Sequence, residues 1–369
     1  LANPADFLFM HVLTSEDGKA ADGARRGQLV DAWSASPLRS EEREAASAPE
    51  LPDSSPGAAS AKSSATSEPA KAAGFFVTFP VLLKRGANDI MRNPMRGRAP
   101  FAQAVVMGLI LGLIWWQVNN DQKGIQDRTG VIFFSCVNGI MQNVIGVLTT
   151  FANERGAVLR EQENRMYGTL SYFSARVLVD LPIKIGAPVL FGTISYWLAG
   201  FQADVFKYLN YIFFTILLAL AGNSIGLFLA CIFPDVTVAL AVAPIFLLPL
   251  IMFSGFALNT DSIPVWLTWV QWVSPPKYAF AAMVQTEFDG LITVCIGEQW
   301  RSVVSPSGQV VKVCPFETGE AFVKTLNFQS FLSNVNCALF LLGLIVAFMV
   351  LAYLSLWRMS AKAMSQASN

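Results

Sequence analysis

Charge is scarce in this sequence. Asp, Glu, Lys and Arg together make up only 14% of 369 residues, against 53% hydrophobic, a balance outside the range of ordinary soluble domains. Histidine is scarcer still, with His11 the single one. The five cysteines form no CxxC pair and have no histidine beside them, so no metal site is expected. No GxxxxGK[ST] phosphate loop occurs. Without that backbone cradle and its lysine, these residues alone are expected neither to bind nor to hydrolyse ATP. No Asn-x-Ser/Thr sequon is present, so N-glycosylation is not expected. The formal net charge of zero says nothing about partners, because the charge is unevenly spread along the chain, and no basic surface for nucleic acid is suggested. The chain opens on Leu1 without the charged n-region, apolar h-region and cleavage site of a signal peptide, and reads as continuing upstream.

What the sequence does have is long apolar runs. Six of them lie near 101–118, 131–151, 177–199, 208–233, 236–258 and 331–357, each close to or above the roughly 20 residues that cross a bilayer as a helix. The reading is therefore an all-α, multi-pass membrane protein whose first partner is the lipid bilayer. Between the second and third runs sits a charged knot, FANERGAVLREQENRMYGTLSYFSAR, holding Glu154, Arg155, Arg160, Glu161, Glu163, Arg165 and Arg176. A water-exposed turn on one membrane face is expected there. Basic residues gather before the first run, in this knot and after the last run, which places both termini in the cytoplasm. The third run carries Asp180, Pro182, Lys184 and Pro188, so its first turns are expected to kink or to lie at the interface.

The flanks read differently. Residues 1–35 look like the edge of a soluble domain, and 36–74 form an Ala/Ser/Pro/Glu linker too poor in large apolar residues to fold. Residues 75–98 mix apolar and basic side chains as an amphipathic helix on the membrane surface would, with a break at Asn93-Pro94; a buried soluble helix is the alternative. The membrane domain then covers 99–358, and 359–369 is a cytoplasmic tail. Within the long segment after the fifth run, SIPVWLTWVQWVSPPKYAFAAMVQTEF is too interrupted for a seventh span and reads as a re-entrant or interfacial helix pair.

Four motifs carry a resemblance. They are NPADFLFMHVL at the start, NPMRGRAPFAQ through GIQDRTGVIFF, NERGAVLREQENRMYGTLSYFSARVLVDLP, and FSGFALNTDSIPVWLTWVQWVSPPKYAFAAMVQTEFDG. Together they resemble the G subfamily of ATP-binding cassette transporters, the white-type and breast-cancer-resistance-protein-type half transporters. The resemblance implies the six-helix ABC-2 type permease fold. It also implies that ATP and Mg act on a nucleotide-binding domain of the same full-length chain, upstream, and that a second half pairs as homo- or heterodimer. Export of hydrophobic or amphipathic small molecules or lipids follows from it, in the plasma membrane or an internal one. A polytopic scaffold or channel without a motor is the alternative. The family's phosphate loop and LSGGQ-like signature are missing here, and an Asp of its first motif is His11.

The same resemblance assigns sites. Phe133, Phe134, Asn138 and Met141 of the second run, with Leu248 and Ile251 of the fifth, are expected to line a substrate cavity on the dimer axis. From residue type alone, Asn138 serves equally well as helix–helix glue. Phe256 and Ala257 stand where the family has a pair of Leu residues at an outer gate. Glu154, Arg155, Arg160 and Glu161 are the expected coupling element, though from charge alone a solvated loop serves equally well. Cys295 and Cys314 fall in the outer segment, where an oxidising location favours pairing and the family has a disulfide. Cys136, Cys231 and Cys337 lie within apolar runs and read as packing residues.

Overall fold

The computed structural model describes residues 74–369 except 165, 234, 257–263, 293–294, 296–300, 305–309, 315, 317, 327–332 and 368–369. The soluble edge expected at 1–35, nearly all of the expected linker and the gate residue Ala257 lie outside the described residues. The described part is dominated by helices: α1 Phe75–Arg92, α2 Pro94–Gly97, α3 Ala99–Ile114, α4 Gln122–Glu163, α5 Thr169–Ala199, α6 Val205–Ile232 and α7 Val236–Met252. They continue with α8 Thr268–Val273, α9 Pro275–Phe288, α10 Gly319–Thr325 and α11 Asn334–Ala367. Five helical segments are long and apolar enough to cross a membrane, at Pro94–Ile114, Gln122–Phe151, Thr169–Ala199, Val205–Ile232 and Asn334–Lys362, and α7 is a shorter apolar helix. The chain is thus an integral, multi-pass, all-α membrane protein. Its one strand pair among the described residues is the hairpin Arg301–Val304 with Val310–Val313, in the segment between α9 and α10.

The central helix is α6, which packs on α4, α5, α9 and α11. Its approach to α4 rests on two small residues one turn apart. A Cβ on Gly222 would sit 2.8 Å from the carbonyl oxygen of Ile140, and one on Gly226 would sit 2.9 Å from Val147. The backbones can meet this closely because no side chain stands between them, the usual way apolar helices associate in lipid. The core around that crossing includes Ile140, Val144, Leu218 and Ile225, with Phe280 of α9.

One expectation changes on contact with the structure. The charged knot is not a turn: α4 runs unbroken through it to Glu163, and only 164–168 break the chain before α5. The cause is composition, since Glu, Arg, Ala and Leu are strong helix formers and the stretch lacks proline. At about 1.5 Å per residue the 42-residue α4 is about 60 Å long, twice a bilayer core. α5 is one helix from Thr169 to Ala199 with Pro182 and Pro188 inside it. The interruption before the first span is found as expected, with extended Asn93 capping α2 through the Met95 N–H at 3.1 Å. Residues 268–288 form the helix pair α8 and α9, with α9 buried along almost its whole length.

Candidate functional site

One end of the bundle is held by ions. Where α4 passes beyond its apolar part, Glu154 accepts from Arg176 at 2.7 Å and from Arg96. Arg96 donates also to Asp89 of α1 at 2.6 Å and to Asp180 of α5 at 3.0 Å. Arg176 closes the ring on Asp180 at 3.1 Å, within one turn of α5. Two guanidinium groups and three carboxylates therefore tie α1, α2, α4 and α5 at one point. Arg96 and Arg176 are nearly buried, so each needs its partners: an unpaired buried charge costs several kcal/mol. Burial pushes the Glu154 carboxyl up to about 7, against the opposing pull of Arg96.

Two turns further along α4, Glu161 takes both guanidinium nitrogens of Arg85, at 2.7 and 2.9 Å, and the hydroxyl of Tyr167 at 2.6 Å. The hydrogen bond from Arg85 is the first cause that holds its carboxyl below the usual range. Between these two ion groups lies a cavity of about 240 Å³ bordered by Gly86, Val158, Tyr172 and Val179. Arg155 donates to the carbonyl of Phe233 at the end of α6, at 3.1 Å. Arg160 is exposed and makes none of these contacts. The structure thus ties Glu154 to Arg96 and Arg176, Arg155 to Phe233, and Glu161 to Arg85 and Tyr167, and leaves Arg160 outside.

Toward the other end of α4 the materials are aromatic. Phe133 stacks on Phe256 with ring centroids 4.3 Å apart, and both stand edge-on to Phe280 of α9 at 6.4 and 6.0 Å. Phe134 is 47% exposed and leans on Trp115 at 5.5 Å. Met141 is half-buried against the core, Leu248 is exposed and Ile251 is buried in the core. Leu248 and Ile251 therefore do not share an exposed face within this chain. Asn138 lines a crevice inside the chain, among α3, α4, α5 and α6, with Gln103, Gln142 and Lys184. Lys184 donates to Asn143 at 3.0 Å. A second crevice of about 280 Å³ shares Gln103, Gln142 and Lys184 with the first and reaches Arg96 and Asp180. Polar side chains within an apolar span are costly unless paired or facing water, and these two crevices gather them on a common face.

Sequence reasoning passed over several of these residues. Arg128 and Glu287 form a nearly buried ion pair, reinforced by bonds from Arg128 to Asn120 at 2.8 Å and to the Gly200 carbonyl at 3.0 Å. Gln202 adds its backbone N–H to Glu287 at 3.1 Å. The signal was available, because Arg128 sits in the GIQDRTG motif and Glu287 in QTEFDG. Arg96 and Asp180 could have been suspected as charges beside apolar runs, though nothing in the sequence joined them. Cys295 and Cys314 are disulfide-bonded with Cα atoms 5.9 Å apart, and Cys136, Cys231 and Cys337 are buried free thiols. Among the described residues no cluster of His, Cys, Asp and Glu could hold a metal.

These features define a polytopic permease domain with a charged helical end and an aromatic–polar interior. Comparison with known proteins gives the family: residues 78–288 match the ABC-2 type transporter family, and this chain belongs to it, as the membrane half of the G-subfamily type. Protein white of Drosophila melanogaster is 30% identical over 292 residues, 77% of this chain and 40% of that protein. ABC transporter G family member 1 of Dictyostelium discoideum is 28% identical over 78% of this chain and 36% of its own. The Sus scrofa broad substrate specificity ATP-binding cassette transporter is 29% identical over 65% of this chain and 37% of its own. The chain therefore spans less than half the length of these relatives.

Proposed function

We propose that this chain is the membrane half of an ATP-driven exporter that moves hydrophobic or amphipathic small molecules or lipids. In this reading residues 99–358 are the permease, 75–98 the connecting helix and 1–35 the edge of the ATP-binding domain of the same full-length protein. ATP and Mg act there, outside the residues 74–369. A second half, identical or homologous, completes the path along a two-fold axis.

The observation that carries the proposal is the continuity of α4. Glu154 and Glu161 lie beyond the apolar part of the same unbroken helix that bears Phe133, Phe134, Asn138 and Met141. A push on the charged end by a motor domain would tilt or slide a rigid rod, and rigid-body movement of packed helices is an ordinary way to open a cavity. Phe133 and Phe134 offer flat apolar faces to a planar substrate, and Asn138 a hydrogen bond that fixes its orientation. Leu248, exposed on α7, completes the wall once the second half is in place, with Ile251 packed behind it in the core. Phe256, stacked on Phe133, serves with Ala257 as the gate that yields on release.

The test is ATP-dependent movement itself. The full-length protein is reconstituted in vesicles and supplied with a panel of amphipathic fluorophores. Accumulation of at least one dye with ATP, and none with a non-hydrolysable analogue, is the expected result. An active ATPase that moves none of the panel, headgroup-labelled lipids included, would contradict the exporter reading and favour a non-transporting membrane protein.

A further inference from the structure

Among the described residues, the face of α1 turned away from the bundle has no protein partner, and its chemistry is specific. Its inner side rests on α5, with Gly86 against Val179, where an added Cβ would be 3.0 Å away. Its outer side begins apolar: Phe76 is 89% exposed, and Val77 and Val81 are exposed beside it. About one and three turns beyond Val81 the same side turns basic, with Lys84 and Arg92 exposed, followed by Arg98 after α2. Met91 and Met95, both largely exposed, lie between these cations. The only acid in residues 75–98 is Asp89, and it is occupied by Arg96. Arg85 is occupied by Glu161. Among the described residues, Lys84, Arg92 and Arg98 have no carboxylate partner.

The level of α1 is also fixed. Its tie to Glu161 sets it at the height where α4 has already left its apolar segment. The end of α11 lies at the same height, since the Ser360 hydroxyl bonds the Gln162 side chain. There α11 exposes Trp357 and Arg358, the pairing of aromatic and basic anchors found where a helix meets headgroups. An apolar strip and free cations on one face, at headgroup height, complement a surface of acyl chains beneath anionic phosphates.

We propose that α1 is a binding surface for anionic phospholipids, with Lys84, Arg92 and Arg98 at the phosphates and Phe76, Val77 and Val81 among the acyl chains. The cations reach the phosphates while their methylene stems, with Met91 and Met95, stay against the apolar layer. This goes beyond the transport reading and does not depend on it, because lipid selectivity needs neither ATP nor substrate. Through Arg85–Glu161 and Arg96–Glu154, the lipid on the outer face of α1 is one helix away from the charged end of α4.

The chain is reconstituted in phosphatidylcholine vesicles, and spin-labelled phosphatidylserine and phosphatidylcholine are compared for their immobilised fraction at the protein surface. Phosphatidylserine is expected to be preferred by about twofold or more at low salt, with the preference falling at high salt. The triple variant Lys84→Gln/Arg92→Gln/Arg98→Gln is expected to lose most of that preference. Lys123→Gln, at the other end of the bundle, is expected to keep it. Because the triple change touches only exposed side chains, the Cys295–Cys314 disulfide and the thermal unfolding midpoint should be unchanged, which separates lost lipid binding from lost fold. Equal immobilisation of the two lipids by the unaltered chain overturns the proposal. So does a preference that survives in the triple variant, or one abolished by Lys123→Gln alone. A face of α1 covered by another part of the protein would give the first of these results.

Discussion

The two regions of α4 that the proposed function invokes are built from opposite materials. Around Glu154 and Glu161 the contacts are ionic and directional: two arginines bridge three carboxylates, and each bond fixes an angle as well as a distance. Around Phe133, about 30 Å away along the same helix, the contacts are stacked and edge-on rings. Ring faces can slide at small cost, whereas a buried guanidinium cannot leave its carboxylates without a large penalty. The ionic region is suited to holding α1, α4 and α5 in register while force passes through them. The aromatic region is suited to yielding when a substrate arrives. What differs between them is tolerance of movement, and that is how the contrast can be broken.

The largest effect is expected from Arg96→Met. It leaves Glu154 and Asp180 to share Arg176 as their one remaining guanidinium partner, and removing one partner from a buried ion group costs about 3–5 kcal/mol. The variant should give little monodisperse protein in detergent; a yield and unfolding temperature equal to the parent would show that the ion ring holds nothing. A smaller loss is expected from Phe133→Ala and Phe256→Ala. Each should lower stability modestly, and a double-mutant cycle should return a coupling of about 0.5–1.5 kcal/mol between the stacked rings. A coupling near zero would remove the gate pair.

The third expectation uses pH, because Glu154 and Glu161 are shifted in opposite directions. Glu154 is raised from 4.5 to about 7, so its contribution is complete below pH 4.5 and declines as pH rises through about 7. Glu161 is lowered from 4.5, so its contribution is present above pH 4.5 and is lost only as pH falls below that. Between pH 5 and 8, Glu154→Gln should flatten the pH dependence of the unfolding temperature, and Glu161→Gln should leave its slope unchanged. The smallest effect is that of Arg85→Gln on stability. Its side chain is 58% exposed, and such pairs contribute at most about 1 kcal/mol.

The apolar runs were legible because membrane helices must satisfy their backbone internally, which writes span length directly into composition. The disulfide and the helix pair 268–288 were legible from motif and from interrupted hydrophobicity. The continuity of α4 was not, because charge marks where a chain meets water but says nothing about whether a helix stops there. Helix propensity in ERGAVLREQE was the signal that should have been weighed. The ring of Arg96, Glu154, Arg176 and Asp180 joins positions up to 84 residues apart, and single-sequence patterns do not record such distant pairings. Asn138 shows a related limit: helical periodicity places it on one stripe with Phe134 and Met141, while the neighbours that line its crevice come from α3, α5 and α6.

The central claim is that one helix carries a coupling end and a substrate end that can be damaged separately. The most direct measurement follows ATPase activity and dye transport together in the reconstituted full-length protein. Glu161→Ala should retain ATPase activity while transport falls for every substrate. Phe134→Ala and Asn138→Ala should leave basal ATPase largely intact and change affinity or choice among substrates. If Glu161→Ala left transport unchanged, or if Phe134→Ala and Asn138→Ala left every substrate unaffected with the protein properly folded, the two-ended account of α4 would be contradicted.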